Sequence, residues 1–298
     1  MLSHLASALE PPSRVVVMGA RGFVGRAIVR RLEVDSAPVI ALTHEDVDLL
    51  RPDAADHLAS LLRPRDVFIA VSAMAPCKTS DMLRDNVIMA RAMTAAASRS
   101  DLAHVINISS DAIYADSLDR LNEDSIAAPE SLHGVMHLAR EIMFKSDVLA
   151  PLAILRPTLI YGPRDPHNGY GPNRFRRLAQ TGEPIVLFGE GEEQRDHIFI
   201  GDVAEIIARV AYRRSTGTLN IATGVVASFH EIAKICVRLA GTKARIQKTP
   251  RVGAMPHNGY RAFDISSLQA AFPELTLTPL ADGLALSQSL ESHSDKVV

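Results

Sequence analysis

Residues 14–26 read RVVVMGARGFVGR. A run of apolar, mostly β-branched residues leads into three glycines, Gly19, Gly22 and Gly25, and an amphipathic stretch begins before the last of them. Apolar runs without polar alternation mark strands buried on both faces, as in parallel sheets. In FVGRAIVRRLEV (23–34), Val24, Ile28 and Leu32 recur every four residues while Arg26, Arg30 and Arg31 fall on the other side, giving a helix one apolar stripe. Strand, tight turn and helix are therefore predicted in immediate succession.

The pattern repeats along the chain. PVIALT (38–43), DVFIAVSA (66–73), HVINISS (104–110) and LAILRPTLIYG (152–162) read as strands, with helical stretches such as 84–99 between them. Strands alternating with helices predict an α/β fold, a doubly wound parallel sheet of the Rossmann type covered on both faces. After about residue 163 the texture changes to Pro- and Gly-rich loops, YGPRDPHNGYGPN and FGEGEEQRD, with helices expected near 174–181, 202–214 and 228–240. We read residues 12–163 as a dinucleotide-binding domain and 164–298 as a smaller, mainly substrate-binding domain, from which a strand near 218–223 (TLNIAT) can return to the main sheet.

A chain of 298 residues with 47% hydrophobic and 22% charged residues is long enough for such a globule. Its formal charge of −2, with the charges scattered, offers no basic face to nucleic acid or anionic lipid. The opening MLSHLASALEPPSR has no basic segment followed by a long apolar core, and no uninterrupted apolar stretch approaches a membrane span, so a cytoplasmic location is expected. Cys77 and Cys236 are too few for a disulfide framework and read as small buried hydrophobes.

The glycine turn carries the first chemistry. Gly19 permits a tight turn, Gly22 lets the backbone approach a pyrophosphate and Gly25 lets helix and strand pack closely, with the helix N-terminus aimed at the phosphates. Phe23 and Val24, which open that helix, are read with the turn as cofactor-binding. An acidic residue ending the second strand suits a ribose 2′-hydroxyl and a cation suits a 2′-phosphate. Here the strand ends Thr43-His44, followed by Glu45 and Asp46, and Arg21 stands inside the glycine loop, so NADP is favoured slightly over NAD.

Further motifs follow in order: Asp48-Leu49, VSA at 71–73, ISSDAIY at 108–114, RPTLIYGP at 156–163, LFGEGEEQRDHIFIGDVA at 187–204 and FDISSL at 263–268. Together they resemble the extended short-chain dehydrogenase/reductases, also called the NAD-dependent epimerase/dehydratase family, over residues 14 to 290. Many members act on nucleotide sugars. The resemblance implies that Asp48 and Leu49 touch the adenine, that Ser72 and Ala73 line the middle of the cofactor, and that Pro157 lies near the nicotinamide. It makes Ser110 the catalytic serine and Arg195 the grip on a substrate diphosphate. It also implies a homodimer through helices around 84–99 and 134–146, with Val87, Met93, Met136 and Ile142 at the interface.

The departures are at the centre. SLHGVMHLARE (131–141) resembles the family's S-x-Y-G-x-x-K-x-x-x-E except that His133 stands at the tyrosine and His137 at the lysine. Leu159 stands where sugar-nucleotide members often carry asparagine. Ser110-Asp111-Ala112 lacks the second carboxylate of the members that dehydrate sugars, which argues against 4,6-dehydration. Asp111 is read as a substrate-side residue or as a turn cap.

Histidine can do this work. Its unperturbed pKa of about 6.5 makes it an acid/base near neutrality without a neighbouring cation. On a helix, positions 133 and 137 share a face, so the rings meet and their titrations couple. We therefore expect an NAD(P)-dependent oxidoreductase or epimerase acting on a nucleotide-linked sugar, with His133 as acid/base, Ser110 on the reacting oxygen and His137 assisting catalysis and holding the cofactor ribose. The alternative is a non-catalytic dinucleotide-binding module that has lost its Tyr/Lys pair. HGVMH lacks the glutamate of the zinc-protease motif, and only His167 and His197 offer themselves as further ligands, so no metal is expected.

Overall fold

The computed structural model describes residues 2–294. The strands are β1 (Ser3–His4), β2 (Val15–Met18), β3 (Val39–Leu42), β4 (Val67–Ala70), β5 (His104–Ile108), β6 (Leu152–Pro157), β7 (Leu159–Tyr161), β8 (Ile185–Phe188), β9 (Gln194–Phe199), β10 (Ser215–Ile221), β11 (Val226–Ser228), β12 (Ile246–Thr249) and β13 (Tyr260–Arg261). The helices are α1 (Phe23–Val34), α2 (Ala54–Leu61), α3 (Ser80–Ser98), α4 (Leu132–Asp147), α5 (Pro172–Thr181), α6 (Ile200–Tyr212), α7 (Phe229–Ala240), α8 (Ser266–Ala271) and α9 (Leu280–Ser294), with a 3-10 turn at Asp111–Ile113.

The main sheet has the order β1-β10-β6-β5-β4-β2-β3, parallel throughout except for β1. Side chains alternate across it: Val15 and Val17 of β2 enter the apolar layer under α1 and α6, whereas Val16 and Met18 enter the layer under α2, α3 and α4. Because both faces are covered, every residue of β2 and β4 is buried, which is why these segments read as unbroken apolar runs.

The turn from β2 into α1 is tight enough to exclude a side chain at two positions. Gly19 has φ +98°, and a Cβ there would lie 2.7 Å from the Ser72 backbone nitrogen. A Cβ on Gly25 would lie 2.1 Å from the Gly19 carbonyl oxygen, so α1 can start against β2 only with glycine at that place.

The chain after β7 builds the second layer. β9 pairs with β7 and β13 in parallel and with β11 antiparallel, and β8 pairs with β12. α6 packs on α1, β10 adds beside β6, and one buried cluster runs from Val15 and Ile28 to Phe175 and Ile185, so the two parts of the chain share a core.

Several expectations need correction. β1 is not expected from the sequence at all; a two-residue strand has no periodicity to read, and it is held by His4, whose ring bonds Ser215 Oγ at 2.8 Å and the Ala271 carbonyl at 2.9 Å. The single strand expected over 152–162 is two strands in different sheets. Pro157 has no N–H for the ladder, the Thr158 N–H makes the last bond to β10 at the Ile221 carbonyl, and its hydroxyl already donates to Asp196 of β9, with which β7 pairs. FGEGEEQRD is not all loop, since β9 starts at Gln194. Met93 and Met136 are fully buried inside the monomer and so are not at a dimer surface; Val87 and Ile142 are exposed.

α4 is tied to the sheet by a buried ion pair. The Arg156 guanidinium donates two bonds to the Glu141 carboxylate, at 2.8 and 2.7 Å, and Ser109 Oγ donates a third at 2.6 Å. Burial pushes the Glu141 carboxyl up, but Arg156 outweighs it and holds the group below its ordinary value. Glu141→Leu would leave a buried guanidinium without its carboxylate, a loss of about 3–5 kcal/mol. Urea unfolding should show a lower midpoint at unchanged slope, and adding Arg156→Met should recover part of the loss.

Candidate active site

A cleft of about 1440 Å³ opens at the C-terminal ends of β2, β4, β5 and β6. This is the end at which open parallel sheets bind ligands, because the strands there diverge into loops. Its volume exceeds that of an ordinary small-molecule pocket and has room for two ligands end to end. Gly19, Arg21, Gly22, Phe23, Val24 and His44 line one end, Ser72, Ala73, Ser110, His133, His137 and Pro157 the middle, and Asp111 and Arg195 the other end.

Three expected residues lie off its wall. Gly25 serves the α1–β2 packing, and Leu49 is 3% exposed in the apolar layer with Val16 and Leu58. Asp48 is exposed and its carboxylate accepts from the Leu50 N–H at 3.0 Å, so its side chain is spent on its own turn.

At the glycine end, α1 has no side-chain cap at Gly22 and no acidic residue in its first turn. Its first N–H groups and the positive end of its dipole are left to whatever enters the cleft, a fit for a pyrophosphate. Arg21 forms an exposed ion pair with Glu45.

The middle is set by α4. Ser131 caps the helix, accepting from the Gly134 N–H at 3.1 Å. A Cβ on Gly134 would lie 2.1 Å from the Ala112 carbonyl oxygen, so glycine lets α4 lie against the 3-10 turn that follows Ser110. The hydroxyl of Ser110 accepts from the Ala112 N–H at 3.1 Å and contacts Asp111 Oδ1 at 3.3 Å.

The His133 and His137 rings meet edge to face with centroids 4.7 Å apart. The Cys77 N–H donates to His133 Nδ1 at 3.4 Å, which places the proton of the neutral ring on Nε2. Burial holds His133 below the ordinary histidine value, with Asp111 opposing and His167 adding to the shift. His137 is 6% exposed; burial, then His133, then Arg140 hold it well below that value, and its Nδ1 has no partner among the described residues. Both rings are therefore neutral at pH 7.

At the far end two buried arginines stand among carboxylates. Arg195 donates to Glu193 and to the Pro256 carbonyl at 3.0 Å, while its other terminal nitrogen is buried without a partner among the described residues. Arg261 donates to Asp111 Oδ2 at 3.1 Å and to the Asp111 carbonyl at 2.6 Å, and reaches Asp116 at 3.3 Å. Sequence reading missed Arg261, Asp116, His257 and Gly134. Arg261 stands two residues before the FDISSL motif, yet nothing in the spacing links residue 261 to residue 111. Of the other histidines, His167 lines the cleft and His197 is buried against the Phe229 ring. Among the described residues no group of three His, Cys, Asp or Glu side chains is placed to hold a metal ion, and no helix is long and apolar enough to cross a membrane.

A family model for the NAD dependent epimerase/dehydratase family matches residues 15–222. The chain belongs to this family. It is 25% identical over 297 residues to an uncharacterized UDP-glucose epimerase of Bacillus subtilis, covering 95% of this chain and 92% of that one. Its fold is that of UDP-glucose 4-epimerase from Thermus thermophilus, solved with NAD, at TM-score 0.80 and 22% identity over 96% of this chain and 100% of that one. It is equally that of a GDP-L-fucose synthetase from Naegleria fowleri bound to NADP, at TM-score 0.82 and 15% identity over 100% and 98%.

The neutral rings tie stability to pH with a definite sign. The unfolded chain takes up a proton on each histidine at about pH 6.5 and a ring held neutral by the fold does not, so stability is full above that pH and falls below it by about 1.4 kcal/mol per pH unit for each such ring. His137→Phe should flatten the acid limb of the stability profile by one ring's share, measured by urea unfolding between pH 7 and pH 5. Gly134→Ala should cost about 1–3 kcal/mol by overpacking against Ala112, read as a lower Tm.

Proposed function

We propose that this protein is an NAD(P)-dependent epimerase or reductase of the extended short-chain dehydrogenase/reductase type acting on a nucleotide-linked sugar, with His133 as its acid/base. The observation that carries the reading is that one cleft joins three things: an uncapped glycine turn, a serine beside two neutral histidines, and two buried arginines, one with an unpartnered donor. The names of the relatives, a UDP-glucose epimerase above all, point the same way.

A dinucleotide bound in the cleft would supply the two-electron chemistry of the nicotinamide. The glycine turn and the first N–H groups of α1 would hold its pyrophosphate, Ser72 and Ala73 its middle, and Arg21 and His44 its adenosine end. A 2′-phosphate there would draw Arg21 from Glu45, which keeps NADP slightly ahead of NAD. At the far end Arg195 and Arg261 would take the sugar's diphosphate, Arg195 offering its free nitrogen.

Between them Ser110 would bind the reacting oxygen and His133 would move its proton. A neutral imidazole is the base form, so His133 would take a proton from a sugar hydroxyl once its own ring proton has moved from Nε2. Uptake at Nε2 requires the ring proton to sit on Nδ1, which releases the long contact to Cys77; in an epimerase the same proton then returns to the transient ketone. His137, one turn on, would turn its unpartnered Nδ1 to a ribose hydroxyl.

Mass detection of material released by denaturing the purified protein should find NAD or NADP. An empty protein that also binds neither NADH nor NADPH would overturn this reading, and the non-catalytic dinucleotide-binding alternative with it. With a turned-over nucleotide sugar in hand, His133→Ala should lower kcat by about 10²–10⁴-fold. The rate of hydroxyl oxidation should be lost as pH falls through a value below about 6.5, since the base form is required and burial lowers its pKa.

A further inference from the structure

Arg140 is among the largest fully buried side chains of the described residues, and the mechanism above does not use it. It lies on α4 one turn beyond His137 and two turns beyond His133, on the same buried face. Its guanidinium donates to the Ser72 carbonyl, to the Ala70 carbonyl at 3.3 Å and to Asn107 Oδ1 at 3.1 Å, and its Nε has no partner among the described residues. No carboxylate pairs with it among the described residues. Burial alone acts on it, lowering its pKa to about 10, so it remains charged at neutrality.

A buried cation solvated only by dipoles is costly, and an apolar side chain of similar volume would serve the core at less expense. Its place says what it is for. Ser72, whose carbonyl it grips, is the residue against which the Gly19 turn rests, so Arg140 connects the helix of the two histidines to the wall of the glycine turn.

We propose that Arg140 is a positioning residue of the cleft: it clamps the Ala70–Ser72 strand end to the helix that carries His133 and His137, and keeps a fixed positive charge beneath the His137 ring. The charged and titratable groups around that ring are His133 and Arg140 on its own helix, with Asp111 on the 3-10 turn and His167 on the 163–171 loop acting on His133. Burial and then His133 keep His137 an uncharged ring and Arg140 adds to them, leaving it free to accept or donate at a ribose. The consequence for dinucleotide binding rests on the function proposed above; the consequence for His137 does not.

The test compares the full chain with Arg140→Lys, which keeps the charge, and Arg140→Met, which removes it. Isotope-labelled histidine would be followed by NMR from pH 8 to pH 4.5. We expect His137 to stay neutral to the bottom of its range in the native protein and in Arg140→Lys, and to titrate higher in Arg140→Met by about half a pH unit or more, as loss of a nearby like charge requires. NADH and NADPH affinity, read by nicotinamide fluorescence, should fall about tenfold in Arg140→Met and less in Arg140→Lys. An unchanged His137 titration in Arg140→Met would overturn the proposal and leave Arg140 a packing residue. If Arg140→Met does not fold, Arg140→Lys decides: a His137 that titrates in it like a free histidine overturns the proposal. A native protein that binds neither dinucleotide defeats the functional reading, while the His137 titration still reports on Arg140.

Discussion

The pairing of Glu141 with Arg156 is the constraint on which the site depends. Glu141 comes from the helix that bears both histidines and Arg156 from the central strand β6, and the ion pair also takes the Ser109 hydroxyl at the end of β5. Arg156 reaches on to the Tyr114 hydroxyl at 2.7 Å and the Glu123 carbonyl at 3.1 Å, and Tyr114 in turn donates to Asn220 of β10. One buried charge pair thus sets helix, two strands and the 3-10 turn against one another. Its net worth to stability is small compared with the cost of breaking it, so its use is to leave these elements only one arrangement.

Around that tie the cleft is shaped by missing side chains. Gly19 and Gly25 let α1 begin against β2, and Gly134 lets α4 touch the Ala112 carbonyl. The first contact leaves a helix N-terminus open to an anion, and the second carries His133 to the Ser110 turn.

The electrostatics differ from a phenol with an ammonium beside it. Two neutral imidazoles stand in the middle of the cleft, with Arg140 behind them, Arg195 and Arg261 paired to carboxylates at the far end, and the α1 N-terminus at the near end. A phenol needs a cation to become a base near neutrality, whereas an imidazole is a base already and a cation only keeps it so.

The α/β order, the glycine turn and most strands were legible in the sequence because they are local. A β-branched run, a glycine spacing and a four-residue apolar stripe each report on neighbours along the chain. The place of His133 beside His137 was legible for the same reason, since a helix brings i and i+4 together. What tertiary structure alone decided is which distant groups meet. The break at Pro157–Thr158, the burial of Met93 and Met136, the contact of Arg261 with Asp111 and that of Arg140 with Ser72 join residues far apart in sequence. So does the neutrality of the histidines, because desolvation depends on what covers a group and no spacing records it. Sequence determined the scaffold and the identity of the groups that could react; packing determined their charge, their partners and the cleft they share.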